Sequence, residues 1–293
     1  MSEEIESSLL VVILDTNPSQ RIYREKHQVL THTLESVIAF SNSHLMLDSK
    51  NKLAVLACHA KNTEFLFSYK DENLENIRQQ DGQYELFTQV ERCIRTNLQK
   101  LIKKENALIK DIGHCDSLIA GAIAMALCYI HRIQRELSIG EKMNARILII
   151  TGSGETASQY MNYMNVFFTA QKQNILIDVC SLDQDLSLLQ QGCDITGGIY
   201  LKIPQLSGLV QYLLWVFLPD APLRGCLVLP PPVKVDYRAA CFCHRDLIDI
   251  GFVCSVCLSI FCKFSPICTT CHTVFQTPGP LPLKPKKKKM KYM

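Results

Sequence analysis

The sequence has no Gly-x-Gly-x-x-Gly run and no Walker-type Gly-x-x-x-x-Gly-Lys-Ser/Thr run, which leaves a dinucleotide or nucleoside triphosphate site without support. It also lacks any apolar stretch approaching the roughly 20 residues that span a bilayer. The apolar run Leu9 to Leu14 has six residues, and Met1 to Ser8 before it is acidic, unlike a secretory leader. The expectation is a soluble intracellular protein with no membrane partner. A catalytic set is missing as well. His244-Arg245-Asp246-Leu247 imitates a kinase catalytic loop, but Gly251 stands where the metal-binding Asn belongs and no Asp-Phe-Gly follows. Thr151-Gly152-Ser153-Gly154-Glu155-Thr156 lacks the lysine of a phosphate loop, and Ser153 with Glu155 suits helix capping instead. No His or acidic pair stands out, so the chain is not expected to be an enzyme.

The formal charge of +3 comes from one segment. Lys284, Lys286, Lys287, Lys288, Lys289 and Lys291 lie in the last ten residues, and setting these six aside leaves 25 basic against 28 acidic groups, or −3. A body of that sign does not attract a phosphate backbone strongly, so nucleic-acid binding by it loses support. The lysine run reads as a nuclear import signal, and Pro278, Pro280, Pro282 and Pro285 favour a disordered, solvated tail over 276–293.

What is present begins with buried strands. Leu9 to Leu14 is continuously apolar and ends in Asp15 and the turn-forming Thr16-Asn17-Pro18-Ser19, as a parallel strand covered on both faces ends. Leu30, Leu34, Val37 and Ile38 follow at helical spacing. Lys52 to Cys58 and Glu64 to Phe67 read as strands, and the polar stretch Ser68 to Gln83 as a surface loop. Phe87, Val90, Ile94, Leu98 and Leu101 stripe a helix from Tyr84 to Glu105; Ile119, Ala122, Ile123, Ala126, Leu127 and Ile130 stripe another from Ser117 to Leu137. Strands at Arg146–Thr151, Ile175–Val179 and Ile199–Leu201 alternate with helices at Glu155–Gln171 and Leu206–Leu218. This alternation predicts an α/β fold, a doubly wound, mostly parallel sheet with helices on both faces. The Leu206–Leu218 helix is apolar nearly all round, so it is either buried in its own core or carries a surplus face for a partner.

Seven of the 14 cysteines fall between Cys241 and Cys271. Cys254-x-x-Cys257 and Cys268-x-x-Cys271 can converge four thiolates on one cation, and soft ligands in tetrahedral array select Zn2+. Disulfides would need an oxidising compartment. Cys241, Cys243 or His244, and Cys262 can form a second, interleaved zinc site, the first and third ligand groups sharing one ion. Ser265 stands where a third pair would need its second ligand, so that site lacks an obvious fourth ligand unless His272, or Cys243 and His244 together, contribute. Otherwise these thiols pack around the first site. Cys58, Cys93, Cys115, Cys128, Cys180, Cys193 and Cys226 are expected to be buried and reduced.

Asp15, Asn17 and Ser19 offer hard oxygen ligands to Mg2+ at the end of the first strand. Here the chain resembles the von Willebrand factor A-type domain, whose first strand ends in Asp-x-Ser-x-Ser. Asp15 and Ser19 match; Asn17 replaces a serine. The resemblance further implies a threonine before the long central helix, where Ser117 or Asp116 lies, and an Asp-Gly pair, where this chain has Thr151-Gly152-Ser153-Gly154. Without that aspartate the adhesion-type site is degenerate, and Mg2+ is not expected. The expected organisation is a von Willebrand A-type domain over 1–219, a Pro-rich linker over 220–240, a small C-terminal zinc-binding module over 241–275, and the tail.

Asp236-Tyr237-Arg238-Ala239-Ala240-Cys241-Phe242-Cys243-His244 and the following Cys254-Ser255-Val256-Cys257-Leu258-Ser259-Ile260-Phe261-Cys262 complete a wider likeness, as do Tyr160-Met161-Asn162-Tyr163-Met164-Asn165 and Gln211 to Asp220. The chain resembles the smaller von Willebrand A-type, zinc-containing subunit of general transcription factor IIH (TFIIH). That resemblance implies a nuclear, non-catalytic core subunit. Its partners would be other TFIIH subunits, chiefly the larger A-type, zinc-bearing one, and it would support the helicases in RNA polymerase II initiation and nucleotide excision repair. Two rival readings are a RING-type ubiquitin ligase and a direct DNA-binding zinc protein, DNA contact being otherwise indirect or through the lysine tail.

Overall fold

The strand that the apolar run Leu9–Leu14 announces is the axis of a six-stranded sheet. A computed structural model of the chain describes residues 5–26, 28–60, 62–68, 83–108, 116–137, 141–154, 159–231, 234–244 and 246–275. The expected surface loop after Ser68 and the lysine tail with its import signal lie outside these residues, as does Cys115.

β1 (Ile5–Asp15) is paired in parallel on both sides, with β2 (Lys52–Cys58) and with β4 (Glu141–Thr151). β3 (Thr63–Ser68) runs antiparallel on the outer side of β2, while β5 (Leu176–Ser181) and β6 (Tyr200–Lys202) extend the sheet in parallel beyond β4. The order is β3-β2-β1-β4-β5-β6. Successive side chains of a strand point to opposite faces, and both faces are covered. Leu9, Val11 and Ile13 enter one core with α4 (Ile119–Arg135), α5 (Tyr160–Lys172) and α6 (Ser187–Thr196). Leu10, Val12 and Leu14 enter the other with α2 (Gln28–Leu47) and α3 (Gln83–Leu108); a short α1 (Arg21–Glu25) precedes α2. The β1 run is apolar without alternation because water reaches neither side.

The predicted Leu206–Leu218 helix is present in three pieces: a 3-10 turn Leu206–Gly208, α7 (Leu209–Tyr212), and a π turn Leu213–Phe217 closed by Leu218 N–H on Leu213 O. Leu209, Leu213, Val216 and Phe217 are buried, whereas Trp215 is 65% exposed. The helix expected from Glu155 is described from Tyr160, residues 155–158 lying outside the described ones, and the Ser153 hydroxyl donates to Asp15. Three cysteines depart from expectation, Cys128 and Cys226 being exposed and Cys93 half-buried, while Cys58, Cys180 and Cys193 are buried.

The chain after Phe217 stays with the sheet. α8 (Ala221–Arg224) sends Arg224 back to the buried Asp178 on β5 in a two-pronged pair of 2.9 and 2.5 Å. Gln191 on α6 donates to Asp236 O, and Tyr237 donates to Asp194. The two compact units divide between Tyr237 and Arg238. The second unit has two short hairpin ladders, β7 (Ala239–Ala240) with β8 (Leu247–Ile248) and β9 (Phe252–Val253) with β10 (Ile260–Phe261). Its buried core is Cys254, Phe261 and Cys268.

Candidate metal centres

A core of three residues cannot hold a 38-residue segment by burial alone, and the second unit is organised instead by turns that aim sulfur inward. Cys254 and Cys268 open two turns with the same bonding. The N–H of Cys254 donates to Ser259 O and that of Cys268 to Thr273 O, both at 2.9 Å. Leu258 N–H returns to Cys254 O at 3.0 Å, and His272 N–H to Cys268 O at 2.9 Å. Leu258 and His272 accordingly adopt left-handed backbone angles, φ 59° and 58°, a strained choice for residues with a Cβ that the surrounding bonds must enforce. Cys241 N–H on Asp246 O at 2.9 Å starts a third turn of this kind.

The turns collect two groups of four ligand atoms, each group within 4.8 Å: Cys254, Cys257, Cys268 and Cys271 in one, Cys241, Cys243, His244 and Cys262 in the other. Each group can hold a metal ion. Four sulfurs about 2.3 Å from one cation stand about 3.8 Å apart. In the first group Cys254–Cys271 and Cys257–Cys268 are 3.7 and 3.6 Å apart. In the second, Cys243–Cys262 is 3.3 Å, and His244 Nδ1 lies 3.2 Å from Cys262 and 3.9 Å from Cys241. The donor sets and spacings therefore fit tetrahedral thiolate and thiolate–imidazole sites. His272 is in neither group; the second is completed by Cys243 and His244 together.

Four of the thiols, Cys241, Cys243, Cys257 and Cys271, are held below the ordinary thiol value, while Cys254 and Cys262 are raised. The Ser259 hydroxyl lies 3.1 Å from Cys257 Sγ and lowers that thiol to about 6; Thr273, at 3.1 Å, lowers Cys271. The backbone N–H of Cys262 lowers Cys243 to about 7, while Cys262, facing the Cys243 sulfur, is pushed up to about 11. Ser259 and Thr273 were not singled out by spacing. Their signal is a hydroxyl two residues after the second cysteine of each Cys-x-x-Cys pair.

The Asp15 site lies at the carboxyl ends of β1 and β4, where the order of the sheet reverses and open α/β sheets bind ligands. Asp15 is fully buried, and its carboxyl is fully engaged. Oδ1 accepts from Asn17 N–H at 3.2 Å and the Ser117 hydroxyl at 3.0 Å; Oδ2 accepts from Thr151 at 2.7 Å and Ser153 at 2.5 Å. Ser117 and Ser153 also touch at 2.6 Å. These four oxygen–oxygen contacts share three hydroxyl protons, so a proton on the carboxyl completes the set, and burial pushes Asp15 up from the ordinary carboxylate value. Asn17 donates to Ser117 and its side-chain oxygen accepts from Ser19 N–H. The fold thus brings Asp15, Asn17, Ser117 and Ser153 together. Nearby, His59 Nε2 and Glu105 Oε2 are 3.3 Å apart and both side chains are buried; residues so distant in sequence gave no sign of pairing.

The family model described as Transcription factor Tfb4 matches residues 7–272. "General transcription and DNA repair factor IIH subunit tfb4" of Schizosaccharomyces pombe is 38% identical over 272 residues, covering 92% of this chain and 89% of that protein. "General transcription and DNA repair factor IIH subunit TFB4" of Arabidopsis thaliana is 36% identical over 279 residues, covering 92% and 89%. Among solved structures, the crystal structure of the TFIIH p34 N-terminal domain is 27% identical, covers 74% of this chain and all of its own, and superposes with a TM-score of 0.59. The match runs from β1 past Cys271, through both compact units and both ligand groups, and the chain belongs to the Transcription factor Tfb4 family.

Proposed function

We propose that the protein is a non-catalytic structural subunit of the general transcription and DNA repair factor IIH core, acting in the nucleus. There it scaffolds partner subunits in RNA polymerase II initiation and nucleotide excision repair, chiefly the larger von Willebrand A-type, zinc-bearing subunit. The observation that carries this reading is the reach of the likeness: relatives named as factor IIH subunits align over 92% of the chain. The site chemistry supports it. Asp15, at the place where such sheets bind ligands, spends its carboxyl on neighbouring hydroxyls and is not proposed to hold Mg2+.

Residues 241–275 act as a module stapled by two Zn2+ ions, one on Cys254, Cys257, Cys268 and Cys271, the other on Cys241, Cys243, His244 and Cys262. Metal binding of this kind supplies roughly 10–16 kcal/mol in finger peptides, which offsets the small core. The exposed Phe252, Val253, Val256 and Leu258 then give the module a partner-facing surface. Affinity purification in mild salt followed by native mass spectrometry tests both points. A multiprotein assembly with two zinc ions on this chain is expected; a free monomer in nuclear extract sinks the subunit reading, and a single zinc sinks the second site.

The interleaving of the ligand groups, first with third and second with fourth, favours a second reading as a RING-type ubiquitin ligase. A ubiquitin-transfer assay on the purified, zinc-loaded chain separates the two, with no transfer expected.

A further inference from the structure

A groove in the first unit serves neither the two ligand groups nor the Asp15 cage. It opens where the Leu206–Phe217 helix begins beside the first turns of α2, has a volume of about 580 Å3, and is lined by Lys26, Gln28, Val29, His32, Leu206 and Ser207. The floor is apolar, since Val29 is buried and Leu206 packs against the core of that face. The rim is positive. In α1, just ahead, Arg21 is spent on Glu25 at 2.8 Å, which leaves Arg24 and Lys26 in excess at the entrance to α2. α2 has no acidic residue in its first turn, so its dipole adds to the same sign. This combination selects the occupant. A nucleic-acid strand would need a row of cations for its phosphates and aromatic faces for its bases, whereas none of the described lining residues is aromatic and one is a lysine. A small cofactor needs polar groups that converge on it out of water, but Lys26, Gln28 and Ser207 are exposed and His32 is half-buried. An open groove with an apolar floor and a positive rim matches a peptide that has an apolar anchor and flanking carboxylates.

We propose that this groove docks an acidic, amphipathic segment of another polypeptide, with an apolar side chain seated on Val29 and Leu206 and carboxylates against Lys26 and His32. The surface lies wholly in the first unit and so goes beyond the partner-facing surface of residues 241–275. The test pans a library of short random peptides on the full-length, zinc-loaded chain and counter-pans it on Lys26→Glu. The peptides retained are expected to carry paired Asp or Glu around a Leu, Phe or Trp. In fluorescence anisotropy they should bind Lys26→Glu about tenfold more weakly than the parent, with Lys26→Arg close to the parent and affinity falling as salt rises. A benzophenone placed on the apolar residue of such a peptide should cross-link to the stretches holding Val29 or Leu206. Should Lys26→Glu disturb the helical circular dichroism, Ser207→Trp, which fills the groove from its exposed rim, replaces it with the same expected loss. No retained peptide, retained peptides that are neutral or basic, affinity indifferent to these substitutions, or cross-links elsewhere overturn the proposal. Competition by inorganic phosphate at constant ionic strength also overturns it, since the groove is then a small-anion site. The chain is used alone, so failure here leaves the subunit reading untouched.

Discussion

Replacing Arg146 by methionine removes the group that closes the end of the Leu206–Phe217 helix. Its guanidinium rises from β4, 4% exposed, and donates to Phe217 O at 2.7 Å, Leu218 O at 2.8 Å and Pro219 O at 2.9 Å, with Asp220 at 3.2 Å. A helix cannot satisfy its own last carbonyls, and here one arginine satisfies three. Hydrogen bonds to a charged donor contribute about 1.5–3 kcal/mol each, and a stranded buried carbonyl costs about 1–3 kcal/mol. Against this, methionine restores the desolvation cost of the buried cation, which already lowers the Arg146 pKa from its ordinary value. Water also reaches the half-buried Leu218 and Pro219. The balance is a loss of about 3 kcal/mol. For a unit of this size the urea slope is about 3 kcal/mol per molar, so the midpoint followed by helical circular dichroism is expected to fall by about 1 M. All α-helices among the described residues lie in the first unit, so that signal reports on it alone. Arg146→Lys should fall between the two, because a point-like ammonium cannot span three carbonyls. A methionine variant within about 0.3 M of the parent, or a lysine variant equal to it, would refute the clasp.

His44 makes stability depend on pH. Burial, and then the charge of Arg146, lower its pKa to about 4, whereas an unfolded histidine titrates near 6.5. Between those values the unfolded chain binds a proton that the native one refuses. The contribution is complete above about pH 6.5 and is lost as pH falls toward 4, up to about 3 kcal/mol. Urea titrations of the parent and His44→Leu across that window should converge as pH falls, and parallel curves would rule His44 out as the source. Asp15→Asn is expected to cost about 1 kcal/mol and Asp15→Ala about 3, because the neutral amide can both donate and accept within the cage. Millimolar Mg2+ should leave the melting temperature of the parent unmoved, as linkage requires for a site that does not bind it; a clear rise with Mg2+, or Asn as costly as Ala, would contradict the hydroxyl-caged carboxyl.

How far the sequence reveals these features depends on whether the forces are local. The β1 run was legible because burial on both faces leaves an unbroken apolar stretch, but the strand begins at Ile5, four residues earlier, where Ser7 and Ser8 pair with β4 and carry no apolar signal. The Cys-x-x-Cys pairs were legible because a metal site needs ligands at short spacing, and the fold brings all four together. Cys243 against His244 was not decidable from spacing, since adjacent residues satisfy it equally; Cys262, placed by β10, draws in both. The Asp15 cage joins residues more than a hundred positions apart, beyond any local pattern. Arg146 did announce itself, as a cation inside an apolar strand that must find acceptors, yet its acceptors are backbone oxygens and leave no mark on side-chain identity. The two units thereby resolve polarity in opposite ways. The first has enough core to bury Asp15, His44, Arg146 and Asp178 and to give each of them internal hydrogen bonds, although His44 Nδ1 and Arg146 Nε stay without a partner. The second, whose hydrophobic cluster has three buried residues, gains its order from ligand geometry instead. Its apolar side chains are thus released from core duty, and Phe252, Val256, Leu258 and Phe264 remain at the surface.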